Sequence, residues 1–115
     1  MKVPALAMPA HVAPLDIIFY YGNEFPGISS GDAFVSWHGS WNRSPPQGYK
    51  VVHVKYDSGN PVSWEPFFEY DLEGKDTGSH WPHRPVGLAT GRCAGKSCLF
   101  VSSDASGIIA AVVAK

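Results

Sequence analysis

The sequence predicts an all-β protein, and three observations predict it. Gly and Pro are frequent, 12 and 10 in 115 residues, and they interrupt the chain at short intervals. Between these breaks lie short apolar or alternating runs with the two-residue period of strands. No stretch shows a convincing helical period. The one segment open to a helical reading, 108–113, is rich in Ile and Val and follows Ser106-Gly107, which favours a strand.

Seven strands follow from the pattern, each bounded by turn residues. The first, 15–21, starts after Pro14 and stops at Gly22-Asn23. The second, 33–38, lies between Gly31-Asp32 and Gly39. The third and fourth, 49–57 and 62–70, flank Ser58-Gly59-Asn60-Pro61. The fifth, 86–90, follows Pro85, and the sixth, 98–103, follows a Gly-centred hairpin. The seventh is 108–114.

The strands repeat as a unit. Asp32-Ala33-Phe34-Val35-Ser36 is echoed by Cys98-Leu99-Phe100-Val101-Ser102, each preceded by an apolar strand and a turn and followed by a β-rich strand. A period of roughly 40 to 60 residues with about four strands per unit is the pattern of propeller blades. We therefore expect about two blades of one β-propeller domain, one spanning about 9–71 and an incomplete last one about 82–115. The strands divide as four plus three, so the second unit is one strand short and the propeller is expected to be incomplete. A seven-stranded β-sandwich is the alternative that the same strand count permits.

Composition narrows the partners. The net charge is −1 and pI is about 6.5, so no basic field exists for nucleic acid. No apolar run approaches the roughly 20 residues that span a bilayer. Pro4 and Pro9 break the start of the chain, which makes it poor signal-peptide material, so any signal is expected upstream. The two cysteines, Cys93 and Cys98, flank Ala94-Gly95-Lys96-Ser97, a spacer suited to a hairpin disulfide; in a reducing compartment the same pair would be free thiols.

Candidate chemistry gathers at one end. In an antiparallel meander each strand reverses direction, so the links before the first strand, between the second and third, and between one unit and the next emerge together. These links carry four of the five His, two of the three Arg and two of the four Trp: His11, His38, Trp41, Arg43, His80, Trp81, His83 and Arg84. The opposite end offers Glu24, Arg92 and Lys96. Loops held on rigid strands are where such scaffolds place function. Arg forks onto carboxylates, Trp offers a π face, and His donates, accepts or ligates near neutral pH, a mixture suited to a planar anionic ligand. The plainer readings are a buried Trp41 anchor, Arg43 and Arg84 in ion pairs, a structural or solvent-facing His53 on an outer strand, and Asp104 as a turn-former.

Several of these motifs are familiar together. Pro9-Ala10-His11-Val12-Ala13-Pro14, Gly31-Asp32-Ala33-Phe34-Val35 leading to His38-Gly39-Ser40-Trp41-Asn42-Arg43, Gly48-Tyr49-Lys50-Val51-Val52, and Arg84-Pro85-Val86-Gly87 resemble the pyrroloquinoline quinone-dependent pyranose and sorbosone dehydrogenases over nearly the whole chain. The resemblance implies a six-bladed propeller that binds the quinone and Ca²⁺ and oxidises a sugar hydroxyl or hemiacetal by hydride transfer to the quinone. It places cofactor contacts on His38, Trp41, Asn42, Arg43, His83 and Arg84, with His11 on the substrate side. It places the catalytic base and most Ca²⁺ contacts on earlier blades, so these 115 residues alone are expected to be inactive. The chain departs from the family's usual Asp-Gly hairpin by its Cys93–Cys98 hairpin, which suggests a secreted or periplasmic parent, and a haem protein or dye is the expected electron acceptor. A non-catalytic propeller or sandwich module that binds carbohydrate or protein is the competing reading.

Overall fold

The structure is a computed structural model that describes residues 4–10, 12–40, 49–69, 71–72, 75–76 and 84–114. Its elements are β1 (Pro14–Phe19), β2 (Ala33–Trp37), β3 (Lys50–Asp57), β4 (Asn60–Phe68), β5 (Asp71–Leu72), β6 (Lys75–Asp76), β7 (Pro85–Cys93), β8 (Lys96–Ser103) and β9 (Ile108–Val113). All seven expected strands are present. The addition is the short β5–β6 ladder, inside what the sequence suggested was one long link.

The two larger sheets are meanders in chain order, β1-β2-β3-β4 and β7-β8-β9, every pair antiparallel. Among the described residues no strand crosses from one sheet to the other, unlike the Greek-key connections of the sandwich alternative. Tight hairpins fix the register. Ser58-Gly59 and Ala94-Gly95 each have positive φ at both central residues, 52° and 81°, then 51° and 83°, the primed-turn geometry that matches strand twist. Cys93 and Cys98 close the second hairpin as a disulfide with Cα atoms 5.8 Å apart.

Each face of the first sheet is covered, which explains why β2 reads as an unbroken apolar run and is buried at all five positions. Phe34 and Val51 face the second sheet and join Tyr20, Phe25, Leu88, Leu99 and Val101 in a core between the sheets. Ala33, Val35, Trp37, Val52 and Val54 form a second core on the opposite face, closed in part by Val12, Leu6 and Met8 from the segment before β1.

This double coverage decides between the two expectations for His53 in favour of the structural one. His53 is fully buried rather than solvent-facing. It lies on the Phe34 side of β3, with Nε2 2.7 Å from Asp32 Oδ2 and Nδ1 3.0 Å from Glu65 Oε1. Asp32 also accepts the backbone N–H groups of Ser29 and Tyr56. Burial pushes the Asp32 carboxyl up, but the Tyr56 N–H, the His53 ring and the Ser29 N–H together hold it below the usual value.

The sheets meet through β7, which packs on β1 and β2. Two buried-edge hydrogen bonds tie their middles, Ser36 Oγ to Val86 O at 2.6 Å and Leu88 N to Asp16 Oδ2 at 2.9 Å. At one end Glu24 accepts from Arg92 and from Ser97 N, both at 2.7 Å, while Tyr20 OH donates to Ser97 Oγ. The other end holds the candidate site. Apolar side chains remain exposed on the outer flanks, Leu15, Ile17 and Phe19 on β1 and Ile108, Ile109 and Val113 on β9.

Candidate functional site

At the end of β2 the chain leaves the sheet through His38, Gly39 and Ser40, and neighbouring segments hold this short stretch on both sides. His38 N donates to Ala13 O at 3.0 Å and Gly39 N to Val12 O at 2.8 Å. Gly39 has φ 91°, a conformation that a side chain would resist.

Its carbonyls face Arg84. From the start of β7, Arg84 Nε donates to His38 O at 3.0 Å, and Nη2 donates to Gly39 O at 2.9 Å and Ser40 O at 2.8 Å. The guanidinium lies over the Tyr49 ring, 4.6 Å from its centroid, and Tyr49 OH donates to Ser40 O. One arginine of the second sheet therefore fixes three consecutive carbonyls of the first. The planar fork of guanidinium nitrogens makes this possible; a lysine ammonium has no such geometry.

The His38 side chain is held from the same sheet. Its Nε2 lies 2.9 Å from Oδ1 of Asp104, the first residue of the turn between β8 and β9. That hydrogen bond, opposed by partial burial and aided by the charges of His38 and Arg84, lowers the Asp104 carboxyl below its usual value. Asp104 is therefore a turn residue that also reaches across to the other sheet.

Among the sequence-derived candidates, the structure brings His38 and Arg84 together. Trp41, Asn42, Arg43, His83 and His11 lie outside the described residues. Trp41 follows Ser40 directly in the chain and His83 precedes Arg84. Sequence reasoning missed Asp104 and Tyr49. A signal for Asp104 was present: in the repeat, Phe34-Val35-Ser36-Trp37 runs into His38 as Phe100-Val101-Ser102-Ser103 runs into Asp104, so the two residues occupy equivalent positions.

The opposite end is chemically different. A cleft of about 470 Å³ lies there, lined by Phe19, Tyr21, Thr90, Glu24 and Arg92 among others, but its two charged side chains neutralise each other. Among the described residues, the His38 end carries Arg84, Lys50 and His38 with Asp104 and Glu69; Lys50 and Glu69 pair at 3.1 Å, which leaves a guanidinium and an imidazole beside Asp104, a donor set that favours an anion. Among the described residues, no group of three His, Cys, Asp or Glu side chains converges to hold a metal ion.

A family model described as TrAA12-like matches residues 1–115. The chain belongs to this family. It is 38% identical over 119 residues to the pyrroloquinoline quinone-dependent pyranose dehydrogenase of Coprinopsis cinerea, covering 90% of this chain and 15% of that protein. A Borreliella burgdorferi protein described as uncharacterized is 55% identical over 51 residues, 44% of this chain and 14% of its own length. Among solved structures, the holo form of the pyranose dehydrogenase PQQ domain from Coprinopsis cinerea matches with TM-score 0.69 at 35% identity, over 97% of this chain and 29% of that domain.

The expected relationship to quinone-dependent sugar dehydrogenases is thus borne out, as is the all-β fold of a propeller sector. The TrAA12-like chain spans about 15% of the length of the pyranose dehydrogenase that it matches. The described residues suit a flat tricarboxylate quinone in their chemistry: Arg84 adds fixed positive charge, His38 adds an imidazole, and Asp104 is offset by both.

Proposed function

We propose that this chain is the C-terminal, two-blade sector of a quinone-dependent sugar dehydrogenase, and that its His/Arg end forms part of the wall that holds pyrroloquinoline quinone. The reading is supported by the match to a holo PQQ domain together with the convergence of His38 and Arg84 at one end of the sheets. A quinone held here would supply hydride acceptance from a sugar hydroxyl or hemiacetal carbon, and Ca²⁺ would be the accompanying metal.

The chain's own residues bind and orient. Arg84 supplies charge and holds the backbone of 38–40 rigid, so that the segment continuing into Trp41, Asn42 and Arg43 departs from a fixed point. Trp41 offers a stacking face, Asn42 and Arg43 offer donors to carboxylates, and His83 adds a second imidazole. By its place in the Pro9-Ala10-His11 motif, we assign His11 a role on the substrate side. The base that removes the substrate proton belongs to blades beyond these residues, as do most Ca²⁺ contacts, so the chain by itself does not turn over sugar. The disulfide accords with a secreted or periplasmic protein, and a haem protein or dye would take the electrons.

The test is titration of the chain with pyrroloquinoline quinone, followed by quinone fluorescence or calorimetry. Saturable binding, weakened when Arg43 or Arg84 is replaced, is expected. The longer protein that carries this sector should reduce dye with a sugar only when quinone and Ca²⁺ are added. A folded chain that binds a glycan but no quinone would instead support the non-catalytic module.

A further inference from the structure

We propose that Asp104 is the positioning residue for His38: across the boundary between the sheets it accepts the Nε2 hydrogen of the imidazole, and so fixes the tautomer and orientation in which that ring meets a ligand. This rests on the reading of the His38 end as the quinone site.

Four observations carry it. The Nε2 to Oδ1 distance is 2.9 Å, a normal hydrogen bond. Asp104 begins a turn anchored independently of His38, since Gly107 N donates to Ser103 O and Ser106 Oγ donates to Ser103 Oγ at 2.8 Å. The same serine receives Arg84 N at 2.9 Å, so one corner of the second sheet carries both groups that grip His38. Arg84 holds the His38 carbonyl while Asp104 holds its ring, which restrains the residue at backbone and side chain together.

The chemical consequence follows from the two ring nitrogens. A neutral imidazole has one donor and one acceptor nitrogen, and the hydrogen bond at one decides the role of the other. With Nε2–H committed to Asp104, Nδ1 is the acceptor of the neutral ring and a donor only in the imidazolium. Asp104 touches neither quinone nor sugar in this arrangement; it acts through His38. It is 63% exposed at the side chain, so its replacement leaves the core intact.

The experiment compares the chain with its Asp104→Ala and Asp104→Asn variants. Nitrogen-15 NMR of the ligand-free protein reads the His38 tautomer, quinone titration reads affinity, and circular dichroism checks the fold. Asp104→Ala should shift the His38 ring to a mixture of tautomers and weaken quinone binding by about tenfold, the worth of one charge-assisted hydrogen bond. Asp104→Asn retains an acceptor and should restore the Nε2–H signature and part of the affinity. His38 signals identical in all three proteins would overturn the proposal, as would unchanged quinone affinity in Asp104→Ala. If the tautomer responds to Asp104→Ala but no protein binds quinone, the positioning role stands and the quinone reading fails.

Discussion

Replacing Arg84 with methionine keeps the length of the side chain and removes its fork. The change breaks hydrogen bonds of 3.0, 2.9 and 2.8 Å to the carbonyls of His38, Gly39 and Ser40, and the contact with the Tyr49 ring at 4.6 Å. Each hydrogen bond contributes about 1 kcal/mol net, and the cation over the ring about 0.5 to 1 kcal/mol. The site is half-buried, so water recovers part of this for the released carbonyls, and the expected loss is about 2 to 3 kcal/mol. At this chain length 1 kcal/mol corresponds to roughly 4 °C, so the midpoint of thermal unfolding should fall by about 10 °C. Arg84→Lys should recover only about 1 kcal/mol, because an ammonium cannot span three carbonyls. Circular dichroism at increasing temperature measures both. An Arg84→Met protein within about 0.5 kcal/mol of the parent would show that the three bonds carry no net stability and that residues 38–40 are held by Ala13 and Val12 instead.

Further outcomes are expected elsewhere in the molecule. His53→Leu should destabilise by about 2 to 4 kcal/mol, because it leaves the buried Asp32 carboxylate with backbone donors alone; a chemical denaturation midpoint equal to that of the parent would contradict this. The Asp32 carboxyl titrates lower in the folded chain than in the unfolded one, so its contribution is complete above about pH 4 and is lost as pH falls through the folded value. Asp32→Asn should therefore flatten the decline in stability between about pH 4 and 2, measured by denaturation at each pH. Reducing the Cys93–Cys98 disulfide opens a loop of about six residues, worth about 2 kcal/mol in the chain-entropy account, and should lower the denaturant midpoint; no shift after confirmed reduction would refute that value. The exposed flanks of β1 and β9 should make the isolated chain associate with rising concentration, and Ile17→Lys with Ile109→Lys should suppress this in sedimentation experiments.

The sequence alone determined the strands and the ends they share. Turn residues bound each strand, side-chain alternation or apolar runs filled the intervals, and reversal at every hairpin placed the His38 link and the Arg84 link together. The hairpin disulfide was legible for the same reason, since its partners lie five residues apart. These are local properties, set within a few residues or by the direction of consecutive strands.

What the tertiary structure decided is the work of each polar side chain. Val52-His53-Val54 reads as a strand with a polar outer face, yet His53 is fully buried beside Phe34, and the ring finds Asp32 and Glu65. Arg84 reads as a ligand contact or surface ion-pair partner, and the structure shows it fixing carbonyls 44 to 46 residues away. Asp104 reads as a turn residue, and it reaches His38 across a separation of 66. The Arg84 and Asp104 partners meet only when one sheet docks on the other, whereas His53 meets Asp32 and Glu65 through strand pairing within the first sheet. Docking is directed by apolar faces that specify burial without naming partners, so the polar pairs become fixed only in the packed structure.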